Sequence, residues 1–200
     1  MKNNELVWRT IADEAFFGRQ RWDNLADLAF KAGVPLTTTH LATQKLEDIG
    51  AIVRYGSGGF SVANLEKVVT LLSAWRNLGR DSLKQTSPES FSEALIREQV
   101  LHARGGAEAA IFHLGANQVA DVGDTLVYGR FSPAFLGQLP DGEGVTLLPL
   151  DQRAEKDWDG FSSIAQTMAD LFATPGWQAA EFRLALMDKF LPRKNWEIDR

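Results

Sequence analysis

Apolar residues in the first eighty positions fall into short runs with two different periods. Leu6, Val7, Ile11, Ala15 and Phe16 lie near helical spacing and Gly18 stops the run, which predicts a helix over 5–17 with Trp8 and Phe17 in the core sooner than on a dimer surface. Gly18-Arg19-Gln20-Arg21 reads as a polar connection. Asp23 is placed to cap the next helix, whose stripe is Leu25, Leu28 and Ala29 and whose end is Gly33. Pro35 fits a first helical turn, where its missing N–H is not needed. The pattern that follows, up to Gly50, buries Thr39, Ala42, Thr43, Leu46 and Ile49 and turns Thr37, His40, Leu41, Gln44 and Lys45 outward. The period then changes. Ala51 to Tyr55 and Phe60 to Val62 are β-prone runs around Gly56-Ser57-Gly58-Gly59, where glycine supplies the positive φ of a tight hairpin. Asn64 opens an amphipathic helix over 64–79 with Leu65, Val68, Val69, Leu72 and Trp75 on one stripe.

Helix, turn, helix and hairpin within residues 22–63 describe a winged helix-turn-helix, an arrangement that presents a helix to the major groove of DNA. The stretch Gly79 to Pro88 is polar and turn-forming, and is the expected domain boundary. Past it, a serine at 87 or 90 starts a helix through Phe91, Leu95, Ile96 and Val100 to Ala103, broken by Arg104-Gly105-Gly106 and followed by a short helix. Gln118 to Val122 and Asp124 to Tyr128 are β-prone, Pro133 to Leu139 is a short helix, and Val145 to Leu150 is a buried strand. Residues 161–172 and 176–191 form two more helices, the second burying Ala179, Ala180, Phe182, Leu186 and Phe190. The expected class is therefore α+β: a winged-helix DNA-binding domain over 1–80 and an α/β regulatory or partner-binding domain over 81–200.

Composition narrows the function classes. The chain has 200 residues, 44% of them hydrophobic and 24% charged, which is ordinary for a globular protein. It has no cysteine, which excludes disulfides and thiolate metal sites and makes an intracellular, cytoplasmic setting the expectation. No apolar run is long enough to span a bilayer, and the first residues lack the apolar core of an export signal. The net charge is −5, divided unevenly. Residues 1–80 hold ten Lys/Arg and eight Asp/Glu, whereas 81–200 hold eleven and eighteen. The basic excess lies with the expected DNA-binding unit.

Candidate chemistry beyond DNA contact is sparse. His102 and His113 are eleven residues apart across a Gly-Gly break and form no helical metal pair. The chain has no phosphate-binding loop, nucleophile elbow or dinucleotide fingerprint. Asp121 with Asp124, and Asp157 with Asp159, are the remaining acidic pairs that could hold a divalent cation, although 157–160 reads as a solvated turn. No catalytic residue, metal or cofactor is assigned.

Two resemblances add to this reading. Gly33-Val34-Pro35, Thr38-Thr39, Leu46-Glu47-Asp48-Ile49-Gly50-Ala51-Ile52 and Gly58-Gly59-Phe60 resemble bacterial winged-helix transcription regulators. The second half carries Gly105 to Ala110 after a helix, Leu126-Val127-Tyr128 and Gly144 to Pro149 as strands, then Ser162 to Leu171 and Gly176 to Glu181. In that order these pieces resemble the C-terminal domain of the AbiEi-type antitoxins, transcriptional autorepressors of type IV toxin–antitoxin systems. That resemblance implies a domain related to nucleotidyltransferases. The Gly-Ser and Asp-x-Asp signature of an active transferase is missing, which implies a degenerate, non-catalytic version and a toxin or other protein as partner.

The expected function is a sequence-specific DNA-binding regulator, acting as a repressor and homodimeric on double-stranded DNA. Thr37, His40 and Gln44 would read base edges, and Thr38 and Lys45 would hold phosphate. Arg19, Arg21 and Arg54 would add backbone charge, Tyr55 would lie on the wing, and Gly58 would let the wing approach closely. Two alternatives stand beside it. One is a nucleotidyltransferase-like enzyme targeted by a winged helix. The other is a winged-helix protein-interaction module, suggested by the scarcity of cations on the helix after Pro35.

Overall fold

The computed structural model describes residues 2–56, 58–117 and 123–191. Among them the chain is mixed α+β, with eleven helices and two small sheets. It begins with α1 (Asn3–Phe16), β1 (Arg21–Trp22), α2 (Leu25–Ala32), α3 (Leu36–Asp48), β2 (Ile52–Arg54), β3 (Phe60–Val62) and α4 (Leu65–Trp75). The three strands form one antiparallel sheet in the order β1-β3-β2, with Trp22 opposite Phe60 and Ile52 opposite Val62. Arg21 is thus part of a strand, not of the expected connection.

Local chemistry sets these boundaries. Asn24, and not Asp23, caps α2 by accepting from the Asp27 amide at 2.8 Å. Gly33 closes α2 in the left-handed region at φ +67, a conformation that a side chain resists. Pro35 sits just before the first turn of α3 with extended backbone, and its carbonyl accepts from the Thr39 amide. Asn64 caps α4 through the Lys67 amide. Two expected core positions are exposed instead: Phe17 follows the last turn of α1 at 85% exposure, and Ile49 ends α3.

The expected boundary at 79–88 is built into the fold as α5 (Leu78–Asp81) and strand β4 (Lys84–Thr86). Next come α6 (Pro88–Arg97), β5 (His102–Arg104), α7 (Gly106–Leu114), β6 (Thr125–Gly129), α8 (Pro133–Gln138) and β7 (Val145–Pro149). The helix expected to reach Ala103 therefore stops at Arg97, and its final residues form a strand. Gln118 to Val122, including Asp121, lie outside the described residues. The second sheet has the order β4-β7-β6-β5, in which β6 and β7 are parallel and joined through α8, while the outer strands run antiparallel. Val127, Val145 and Leu147 pack with Phe91 of α6 and Phe135 of α8. Leu126, Tyr128 and Leu148 form a separate cluster with Trp158 and Leu78.

The chain closes with α9 (Gln152–Asp157), α10 (Ile164–Ala173) and α11 (Trp177–Phe190). Asp151 caps α9 by accepting from the Arg153 and Ala154 amides, so Asp157 ends a helix and pairs with Arg153 at 2.9 Å. Of the apolar residues expected inside α11, Ala179 and Leu186 are buried, Phe182 and Phe190 partly so, and Ala180 is exposed. α10 is the centre of the molecule. It packs against α1, α4, α7 and α11, and every residue from Ile164 to Leu171 is buried. One apolar cluster runs from Val7, Trp8, Leu28, Leu46 and Phe60 through Val68 and Leu72 to Met168, Ala169 and Leu186.

A buried polar network crosses this core. Arg76, at the end of α4, donates from Nε to Asp170 at 2.8 Å and from Nη2 to the Tyr128 hydroxyl at 2.8 Å, and pairs through Nη1 with Asp81 at 2.5 Å. Tyr128 donates to Asp170, and Gln166 Nε2 donates to both. Burial and the adjacent Asp170 carboxylate push the Tyr128 hydroxyl well above its ordinary pKa despite the nearby Arg76 cation, so it stays a donor. Gly105 leaves room for this network. A Cβ there would lie 2.8 Å from the Tyr128 ring and 3.2 Å from Asp170 Oδ2.

Asp170→Asn keeps the shape and removes the charge facing Arg76. Loss of one partner from a buried pair costs about 3 kcal/mol or more, which a lowered urea midpoint at unchanged m-value will show. Gly105→Ala is expected to cost about 1–3 kcal/mol in the same assay by overpacking against the Tyr128 ring. His113, half-buried on α7 with Nε2 bonded to the Ser162 carbonyl at 2.7 Å, has its pKa lowered mainly by burial. The unfolded chain then binds the proton more readily. Stability from this group is complete above the unfolded value of about 6.5 and is lost as pH falls through the lower folded value. Urea midpoints measured from pH 7 to 5 should fall, and His113→Gln should flatten that fall.

Candidate nucleic-acid interface

The candidate interface is built from α3 and the three-stranded sheet. α3 turns one side into the core through Thr39, Ala42, Thr43 and Leu46. The Thr43 hydroxyl donates back to the Thr39 carbonyl at 2.9 Å, and Thr39 Oγ1 reaches the Pro35 carbonyl. These two threonines therefore spend their hydroxyls on their own helix. Thr37, His40 and Gln44 are exposed, and their side chains make no hydrogen bond among the described residues. Thr38 is half-buried. Leu36 and Leu41 share the outer side at 52% and 60% exposure.

The cations expected to grip a backbone are placed differently from one another. Arg19 pairs with Asp27 and lies 3.8 Å from the Trp22 ring centre, with Glu14 also 3.8 Å away. Arg54 points towards the core side of the sheet, where Nε meets Glu47 at 2.6 Å and Nη2 donates to Thr43 Oγ1 at 2.8 Å. Lys45 is half-buried, its ammonium 4.2 Å from the Trp75 ring centre and 5.9 Å from that of Trp8. Arg21 stands apart. It is 70% exposed and its contact with Asp23 is long, 3.5 Å, between two solvated side chains, a pairing worth little.

Arg21, Ser61 and Val53 are cross-strand neighbours on the outer side of the sheet. Tyr55 continues this surface: the Arg21 guanidinium lies 5.2 Å from its ring centre and its hydroxyl bonds Ser61. The hairpin beyond is closed by the Tyr55 amide to the Gly59 carbonyl at 2.8 Å and the Gly58 amide to the Tyr55 carbonyl at 3.0 Å. Gly58 has φ +87, and a Cβ on it would meet nothing within 4 Å. Its constraint is conformational, with open space around it. The structure thus brings Arg21, Tyr55 and Ser61 together on the outer side of the sheet, with Gly58 in the hairpin beyond, and holds Arg19, Arg54 and Lys45 in contacts of their own.

Much of the basic excess of residues 1–80 is internal. Arg9 and Arg76 are 1% exposed and paired with Asp151 and Asp170, and Arg80 pairs with Glu5 and Asp81. The sequence signal that such cations take internal partners was absent, because Asp151 and Asp170 lie far along the chain. Among the described residues no group of three or more His, Asp or Glu side chains could hold a metal ion, and Asp121, and with it the pair Asp121 and Asp124, lies outside those residues. No described helix is long and apolar enough to cross a membrane. No family model matches the chain, and no curated protein or solved structure matches it.

Proposed function

We propose that α1 to α4 and the sheet β1-β3-β2 are a winged helix-turn-helix and that the protein binds double-stranded DNA as a transcriptional regulator, of the repressor kind implied by the antitoxin resemblance. The observation that carries this reading is the outer side of α3. Thr37, His40 and Gln44 project from a helix anchored on its opposite side, with their hydrogen-bonding capacity unspent. Such side chains suit base edges in a major groove. Arg21 and Tyr55 on the adjacent sheet would meet the backbone, and two protomers would read two half-sites.

A second reading keeps the same surface and exchanges the partner. Leu36 and Leu41 are more than half exposed on α3, and Arg19 and Arg54 are already neutralised. These features suit a protein partner bound through α3.

Fluorescence anisotropy with a duplex selected from a random pool separates the two. Joint replacement of Thr37, His40 and Gln44 by alanine should weaken binding by tenfold or more, on the basis of about 1–3 kcal/mol per good base contact, without changing the salt slope. Arg21→Ala should weaken binding to all duplexes and reduce the slope by about one. Glu47→Gln frees Arg54 and should steepen it by about one. Unchanged affinity in the triple variant transfers support to the protein-partner reading. Absence of any duplex binding at about 50 mM salt sinks the DNA reading.

A further inference from the structure

Adjacent residues of α1 reach into opposite halves of the molecule. Trp8 Nε1 donates to the Ala42 carbonyl in the middle of α3 at 2.9 Å, and its ring meets Trp75 edge-on at 5.6 Å beneath Lys45. Arg9, about 100° further round the helix, turns the other way. Its Nη1 and Nη2 donate to the two carboxylate oxygens of Asp151 at 2.7 and 2.8 Å, and its guanidinium lies 5.2 Å from the Trp158 ring centre. One turn later, Asp13 accepts from the Ala165 amide at 3.1 Å and so serves the first turn of α10 from outside that helix. All three side chains are buried.

We propose that α1 is a strut that sets the pose of α3 from the position of α9 and α10, with Trp8 and Arg9 as its positioning residues. Residues 81–200 then control the DNA-reading helix. Both ends of the strut are directional hydrogen bonds in a close-packed interior, so a displacement of α9 or α10 cannot be absorbed beside α1 and passes to Ala42. The consequence for DNA rests on the function proposed above. The coupling itself does not.

Asp151→Asn in the full chain is the direct test, because asparagine Oδ1 can still cap α9 while the charge facing Arg9 and the acceptor of its Nη1 are lost. The expected result is movement of the backbone amide resonances of Thr37 to Gln44 and of the Trp8 indole. Affinity for the selected duplex should fall about fivefold or more at unchanged salt slope, the lower end of usual coupling between sites. Arg9→Lys, which can keep one bond to Asp151, should move the same resonances in the same direction by less. Phe135→Leu, in the cluster between α6 and α8, lowers stability without touching α1 and should leave the α3 amides in place. Shifts confined to the surroundings of Asp151, or equal α3 shifts in Phe135→Leu, overturn the proposal. If the wild-type chain binds no duplex, the DNA reading falls and the α3 resonances still decide the coupling.

Discussion

The structure depends on one buried meeting of charges. Arg76 ends α4, Asp170 lies in the middle of α10 and Tyr128 comes from β6, and the three are joined by direct hydrogen bonds. Each is nearly or fully excluded from water. A well-packed apolar trio could hold the same space as strongly, so the pair is weak evidence of added stability. Its effect is geometric. A guanidinium with three fixed partners permits one relative placement of α4, α10 and the second sheet, whereas apolar surfaces can slide. Arg9 with Asp151 repeats this arrangement at α1: burial pushes the Asp151 carboxyl up, but the Arg9 cation and the Ala154 and Arg153 amides outweigh it and hold the group below the usual carboxylate range.

This use of charge shapes the proposed interface. Several cations of residues 1–80 are buried or tied to carboxylates, and the outer side of α3 carries hydroxyl, imidazole and amide groups beside the exposed Leu36 and Leu41. Such a surface distinguishes sequences better than it holds phosphate. In the proposed complex, grip would fall to Arg21 and to the contacts of a second protomer.

The elements of the first half were legible because each has a local cause: Gly33 at the end of α2, Asn64 at the start of α4, and the change from helical to alternating period after Gly50. The inward and outward positions of α3 followed from spacing, except at Ile49, which is exposed, and at Lys45, which is half-buried. Features with remote causes were hidden. β1 is two residues long and exists because Phe60 and Ser61 pair with it. The strand 102–104 continued a helical apolar pattern, and its pairing with β6 decided otherwise. Gln166, Thr167 and Asp170 are polar by sequence, yet α10 buries them along with its apolar residues. In the candidate site, exposure of Thr37, His40 and Gln44 was readable from period. The diversion of Arg54 to Glu47 and of Lys45 to Trp75 was not, since each depends on a partner brought close by folding.

The claim at the centre of this account is that a helix aimed by a buried polar framework meets DNA with its uncharged polar side. Amide chemical-shift mapping of the full chain during titration with a selected duplex tests it most directly. The account predicts perturbations concentrated at Thr37, His40 and Gln44 and at Arg21 and Tyr55, with the acidic surface of residues 81–200 silent. Perturbations confined to residues 81–200, or none at saturating duplex, would contradict it.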